Sequence, residues 1–97
     1  MQKSALKLTD SDNVATALFD IVKGDDVIIS DSFGKEIDVV KALDDTVRGH
    51  KIALIDIAMN ERIVKYSHQI GTASQQITRG EHVHTHNLMS ARGRGDL

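Results

Sequence analysis

From Asp26 onward the chain is a succession of short runs rich in β-branched and other apolar residues: Val27-Ile28-Ile29-Ser30, Glu36 to Val40, Lys51 to Ile57, Arg62 to Tyr66, Ile70 to Ala73 and His82 to Leu88. Gly34, Gly49, Asn60, Gly71 and Gly80 punctuate them. Spacing this tight leaves no room for the crossover helices that a parallel βαβ sheet requires, so the expected fold is a compact, mainly β body with folded-over hairpins. Ile52-Ala53-Leu54-Ile55-Asp56-Ile57 barely alternates and is expected to be a strand buried on both faces, at the structural centre. Ala5-Leu6-Lys7-Leu8 alternates as an opening strand. One segment reads as a short N-terminal helix: Asp10, Ser11 and Asp12 offer N-caps, Val14, Ala17, Leu18 and Ile21 fall at helical spacing, and Gly24 would stop it. Lys41 to Arg48 fits either a turn or a short helical piece, and no internal repeat is apparent.

Composition sets the scale of that body and removes whole classes of chemistry. Ninety-seven residues, 40% of them hydrophobic, suit one domain over residues 1–89, with a small, polar, Gly-rich tail over 90–97. The absence of cysteine excludes disulfides, thiolate metal sites and a cysteine nucleophile within this chain. A net charge of −2 and only three aromatic side chains (Phe19, Phe33, Tyr66) argue against nucleic-acid binding. No apolar run approaches the ~20 residues that span a bilayer, and nothing after Met1 resembles a secretory signal, so no membrane is expected and a cytoplasmic location is. In that setting the tail's Arg94-Gly95-Asp96 reads as coincidence, although Arg92 and Arg94 could reach a carboxylate.

The most chemical feature is His82-Val83-His84-Thr85-His86-Asn87. On an extended strand, three imidazoles at alternate positions share one face, with successive Cα atoms about 6.6 Å apart. Neutral rings offer lone pairs to a metal and protonated rings offer donors to an acid; both roles are open from the residues alone. The bland alternative is a solvated polar edge. A straight strand cannot easily bring all three rings to one ion, so His50, His68, Glu81 and Asp56 are further ligand candidates, and the metal ligands are left unknown. Gly49-His50-Lys51 and Lys65-Tyr66 add donors that could meet an acid or transfer a proton. No phosphate loop or Ser-His-Asp signature is present.

Taken in order, Asp12-Asn13-Val14-Ala15, Gly49-His50-Lys51-Ile52-Ala53-Leu54, Val64-Lys65-Tyr66, Ile70-Gly71 and Gly80-Glu81-His82-Val83-His84-Thr85-His86-Asn87-Leu88 resemble the SAF-type N-terminal domain of altronate and galactarate dehydratases. The resemblance runs from about Leu6 to Leu88. It implies a β-clip fold with one short helix, and a hydro-lyase that converts a sugar acid to a 2-keto-3-deoxy acid. It further implies a divalent metal, iron foremost, in the complete enzyme, with none held tightly by this chain alone, and a large dehydratase subunit or domain as partner. A 97-residue chain starting with Met reads as the corresponding small subunit, inactive alone, with an excised N-terminal domain as the alternative. Carried over, His84, His86 and His50 are the expected catalytic residues, with Lys51, Lys65, Tyr66, Asn87 and His82 binding substrate. Asn60 and Ser67 stand where relatives have turn glycines, which puts the hairpin geometry in question. Other readings are a non-catalytic acid-binding or assembly module, a subunit of an enzyme like the sulfolactate sulfo-lyases, or independent metal binding by the histidines.

Overall fold

The computed structural model describes residues 3–90 and is built of strands. In chain order these are β1 (Lys3–Leu6), β2 (Val14–Ala17), β3 (Asp26–Ser30), β4 (Glu36–Lys41), β5 (Lys51–Ala53), β6 (Arg62–Lys65), β7 (His68–Ala73), β8 (His82–Val83) and β9 (Leu88–Ser90). Six of them form one sheet in the order β4-β3-β1-β2-β5-β8, and three form a second, β6-β7-β9. Among the described residues only the β1–β3 pair is parallel; the other strand pairs are antiparallel. The mainly β body expected from the sequence is therefore present. Of the expected tail, Ser90 ends β9 and residues 91–97 lie outside the described residues.

The N-terminal helix is not. Val14–Ala17 is β2, paired with β1 through Ala5 and Ala17 on one side and with β5 through Ala15 and Ile52 on the other. Strand partners on both edges outweigh a local periodicity that Val14 and Thr16, both β-branched, support only weakly. Leu18 of the supposed apolar stripe is 42% exposed. Lys51 to Ile57 is likewise shorter than expected: the strand ends at Ala53, Leu54 is buried, and Ile55 and Asp56 are exposed.

What ends that strand is a device used four times among the described residues, contrary to the repeat-free reading of the sequence. Asp20 to Asp25, Asp45 to His50, Asp56 to Glu61 and Gln76 to Glu81 form the same corner. The second residue of each is buried: Ile21, Thr46, Ile57 and Ile77. The fifth has positive φ: Gly24 at 97°, Gly49 at 88°, Asn60 at 73° and Gly80 at 95°. The sixth donates its backbone N–H to the carbonyl of the third, at 2.9 Å for Asp25 to Val22, 2.9 Å for His50 to Val47, 3.0 Å for Glu61 to Ala58 and 2.9 Å for Glu81 to Thr78. Corners then pair two by two. Ile21 bridges Thr46 and Ile57 bridges Ile77, each antiparallel. In the first pair the exchange is reciprocal, with Asp20 accepting from the Arg48 N–H at 2.9 Å and Asp45 from the Lys23 N–H at 2.8 Å. The repeat keeps burial and φ at fixed positions while varying residue identity, which hides it from a reading by letters.

The corners fold the strands around two apolar clusters. Ala5, Ala15, Ala17, Ile21, Val27, Ile29, Val40, Ala42, Ile52 and Leu54 make the first; Val14, Ala53, Ile57, Ile63, Ala73, Ile77 and Val83 make the second. Neighbouring residues of β2 and β5 point into different clusters, as the period of two dictates. These two short strands therefore join the halves, and β5 carries His50 at its entrance with β8 and the histidine segment beside it.

Candidate functional site

β8 pairs with β5 through Lys51–Val83 and Ile52–His82, which sets His82 across from the start of β5 and next to His50. Beyond Val83 the strand stops. His84 to Asn87 is a tight turn: the Leu88 N–H donates to the His84 carbonyl at 2.8 Å, and the Asn87 N–H to the same carbonyl at 3.1 Å. The expectation that His82, His84 and His86 alternate along one straight strand is thus corrected, because the chain must reverse into β9, which pairs with β7. The rings converge all the same. His50 stacks on His84 with centroids 3.9 Å apart, and His82 lies 5.1 Å from His50, 5.6 Å from His84 and 5.2 Å from His86.

Asn87 explains how a turn presents rings that a strand would have spread. It is 1% exposed, its carbonyl oxygen accepts the His84 N–H at 2.9 Å, and its amide donates to the His82 carbonyl at 2.8 Å. The side chain expected to bind substrate is occupied in bracing the loop. Asp44 adds a second brace by accepting the His82 N–H at 3.1 Å.

The electrostatics favour the neutral form of two of the rings, His82 and His84. His82 is held below the ordinary histidine value, first by burial and then by His86, His50 and His84, with Asp44 opposing. His84 is lowered by burial and by His50, Lys51 and His86. His50 Nδ1 and His82 Nε2 lie 2.9 Å apart in a hydrogen bond, so one of these two nitrogens carries the proton and the other a lone pair. Facing nitrogens of His50, His82 and His84 all lie within 4.8 Å of one another. Three imidazole nitrogen donors at this separation suit a divalent first-row metal. His50, from a different strand, completes the group that a single strand could not; His86 is exposed at its margin.

Lys51 is half-buried beside the rings, and burial, with the charge of Lys65 second, lowers its pKa. Lys65 pairs with His68 at the end of the β6–β7 hairpin, and Tyr66, 62% exposed, sits at its tip with its ring edge-on to His68, centroids 6.3 Å apart. Two clusters result: the imidazoles with Lys51, and the Lys65-Tyr66-His68 tip, linked by the lysines. Glu81 is not among the ligating group; it accepts the Thr78 N–H inside its own corner. Asp56 accepts the Arg79 N–H at 2.8 Å.

Residues 3–91 match the model of the altronate/galactarate dehydratase SAF domain. The chain belongs to this family. It is 49% identical over 85 residues to an altronate dehydratase of Bacillus subtilis (strain 168) and 40% identical over 82 residues to one of Escherichia coli (strain K12). Those matches cover 88% and 84% of this chain but only 16% and 15% of the relatives. A (2R)-sulfolactate sulfo-lyase subunit alpha of Chromohalobacter salexigens is 50% identical over 44 residues, 45% of this chain and 47% of the relative. Membership in a lyase family with a β-rich SAF domain is therefore plain. Among the described residues, no helix is long and apolar enough to cross a membrane.

Site residues that sequence reasoning missed are Asp44, whose brace reaches His82, and Asp12, read as an N-cap. Asp12 is instead 5% exposed and fastens the hairpin tip through the Ser67 amide. Asp12 stands in the first motif of the resemblance, but its role was hidden, as was that of Asp44, because both act on residues far along the chain.

Proposed function

We propose that this chain is the SAF domain or small subunit of a sugar-acid dehydratase of the altronate or galactarate type, working with a large catalytic subunit or domain that supplies most of the substrate contacts. The observation that carries the reading is the group of His50, His82 and His84 nitrogens within 4.8 Å of one another, flanked by Lys51. The share of the two dehydratases that this chain covers, 16% and 15%, supports a larger partner.

The reaction removes the proton on the carbon bearing the carboxylate and the hydroxyl on the next carbon, leaving as water; the enol then becomes a 2-keto-3-deoxy acid. Neutral imidazoles suit the proton abstraction, because a ring whose pKa is lowered by burial and by like neighbours offers a lone pair near neutral pH. The same ring, once protonated, returns its proton to the departing hydroxyl. His84 and His86, at the open side of the cluster, are assigned these proton transfers, with His50 and His82 sharing a proton behind them. Lys51 and Lys65 meet the substrate carboxylate, and Tyr66 offers a phenol to a hydroxyl further along the chain. Where His50, His82 and His84 hold a divalent metal in the complete enzyme, it would polarise the substrate carboxylate and the developing enediolate; their facing nitrogens then share no proton, and the proton transfers fall to His86. Asn87 orients the loop rather than the substrate.

The match to a sulfolactate sulfo-lyase subunit supports a second version, in which the leaving group is a sulfo group and the first half of the reaction is shared. Assay of the chain with and without the large partner, on altronate, galactarate and sulfolactate, separates the versions. Turnover should need both parts, and His84→Ala with His86→Ala should abolish it while leaving the complex intact. Full turnover by the large part alone would remove this chain from catalysis, and loss of association in the double variant would make the histidine loop a docking element.

A further inference from the structure

The tip of the β6–β7 hairpin is built against local preference. Lys65 pairs with His68 across a two-residue turn whose central residues, Tyr66 and Ser67, have φ of 56° and 62°. Positive φ at both positions is the type I′ hairpin turn, for which Asn-Gly is the favoured pair. A left-handed conformation is costly for an ordinary L-residue, and a bulky aromatic has no side-chain bond to offset it. Something outside the hairpin must hold it.

That something is a loop more than fifty residues earlier in the chain. Asp12 Oδ1 accepts the Ser67 N–H at 3.0 Å and the Thr9 hydroxyl at 2.6 Å. Its other oxygen accepts the N–H groups of Leu8 at 3.1 Å and Thr9 at 3.2 Å. The Ser67 hydroxyl donates to Thr9 Oγ1 at 2.9 Å and lies 3.2 Å from Ser11 Oγ. The next residue, Asn13, clasps the strand leading to the turn: its carbonyl oxygen accepts the Val64 N–H at 2.8 Å and its amide donates to the Arg62 carbonyl at 2.8 Å. Asp12 and Asn13 thus hold tip and strand from one point. What they hold out is Lys65, whose charge reaches Lys51, and the exposed Tyr66.

We infer that Asp12 is a positioning residue: through the Ser67 amide it fixes the left-handed turn and so sets Lys65 and Tyr66 where a polyhydroxy acid held at the Lys51–histidine cluster extends. A turn needed only to reverse the chain would be better served by glycine; the strain borne at Tyr66 points to the placement of its side chain. The inference deepens the dehydratase reading and rests on it for the identity of the ligand.

The test uses Asp12→Asn, Ser67→Gly and the double variant, each in the 97-residue chain and in the complex with its large partner. In the chain, NMR follows the contact between the Tyr66 and His68 rings; in the complex, kinetics with galactarate and altronate follow KM and kcat separately, below the melting temperature of every variant. Asp12→Asn should weaken the ring contact and raise KM by roughly tenfold with kcat little changed. Ser67→Gly, which takes the left-handed conformation freely, should restore both in the double variant. An unchanged ring contact and KM in Asp12→Asn overturns the inference. So does a defect that Ser67→Gly fails to rescue, which would make Asp12 a general stabiliser. If the wild-type complex turns over neither acid, the dehydratase reading falls, and the ring contact still decides whether Asp12 positions Tyr66.

Discussion

His50 occupies the sixth position of the second corner, where the other three corners carry an acid. Asp25 accepts the Val22 N–H at 2.9 Å, Glu61 accepts the Ala58 N–H at 2.7 Å, and Glu81 accepts the Thr78 N–H, so in each the side chain closes its own turn. His50 turns to His82 instead. A repeated element that gives up its own cap at one copy has exchanged local stability for another use of that side chain. His50→Glu should therefore restore the fourth cap, to the Val47 N–H, and raise the stability of the chain by about 0.5–1 kcal/mol in urea unfolding. In the complete enzyme the same change should abolish turnover, because a carboxylate replaces an imidazole nitrogen in the cluster. A less stable variant, or an active one, would show that the histidine serves the corner rather than the site.

At the scale of the element, the histidine loop and the corners answer different tests. Asn87→Ala leaves the His84 N–H and the His82 carbonyl without their partner in a buried turn, a loss of about 2–3 kcal/mol, and should spread the rings so that the NMR titrations of His82 and His84 move up toward ordinary histidine. Among the corner glycines, Gly49 and Gly80 differ in surroundings though not in φ. A Cβ at Gly49 meets open space, whereas one at Gly80 collides with the Lys41 carbonyl oxygen. Gly49→Ala should cost about 1–2 kcal/mol of backbone strain and Gly80→Ala clearly more, readable as the difference in denaturation midpoints. These elements also show what the sequence made legible. Runs such as Val27 to Ser30 revealed their strands because β-branched content and length are local properties. The convergence of His82, His84 and His86 was anticipated through the wrong geometry, since the reversal after Val83 depends on Asn87 folding back on residues three and five positions away. The false helix at Val14 arose from a spacing that pairing with β1 and β5 overrides, and among the further ligand candidates of the sequence, His50, His68, Glu81 and Asp56, it is the β5–β8 register that singles out His50. Asn60 and Ser67, the departures from turn glycine, do adopt positive φ, so the hairpin geometry in question is kept by residues less suited to it.

At the scale of the molecule, Asp12 and Asn13 fasten the three-stranded sheet to the six-stranded one, and the fastening depends on a charge. Burial by itself pushes the Asp12 carboxyl up, but hydrogen bonds from the Ser67 amide, the Thr9 hydroxyl and the Tyr66 and Thr9 amides outweigh it and hold the group below its ordinary 3.8. A carboxyl depressed in the folded state contributes stability that is fully present above its unfolded value and is lost as pH falls through the folded one. The wild-type chain should therefore melt above Asp12→Asn by a margin that stays level from neutral pH down to about pH 5 and closes as the solution is taken further into acid. Because the bonds cross between sheets, the margin should be accompanied by earlier hydrogen exchange at Val64 and Ser67 in the variant, while Ile28 and Ile29 in the body of the large sheet keep their protection. A margin independent of pH would mean that the ionised carboxylate is not what joins the halves. Exchange accelerated equally at all four amides would mean that the two sheets open as one unit and that Asp12 stabilises the whole fold.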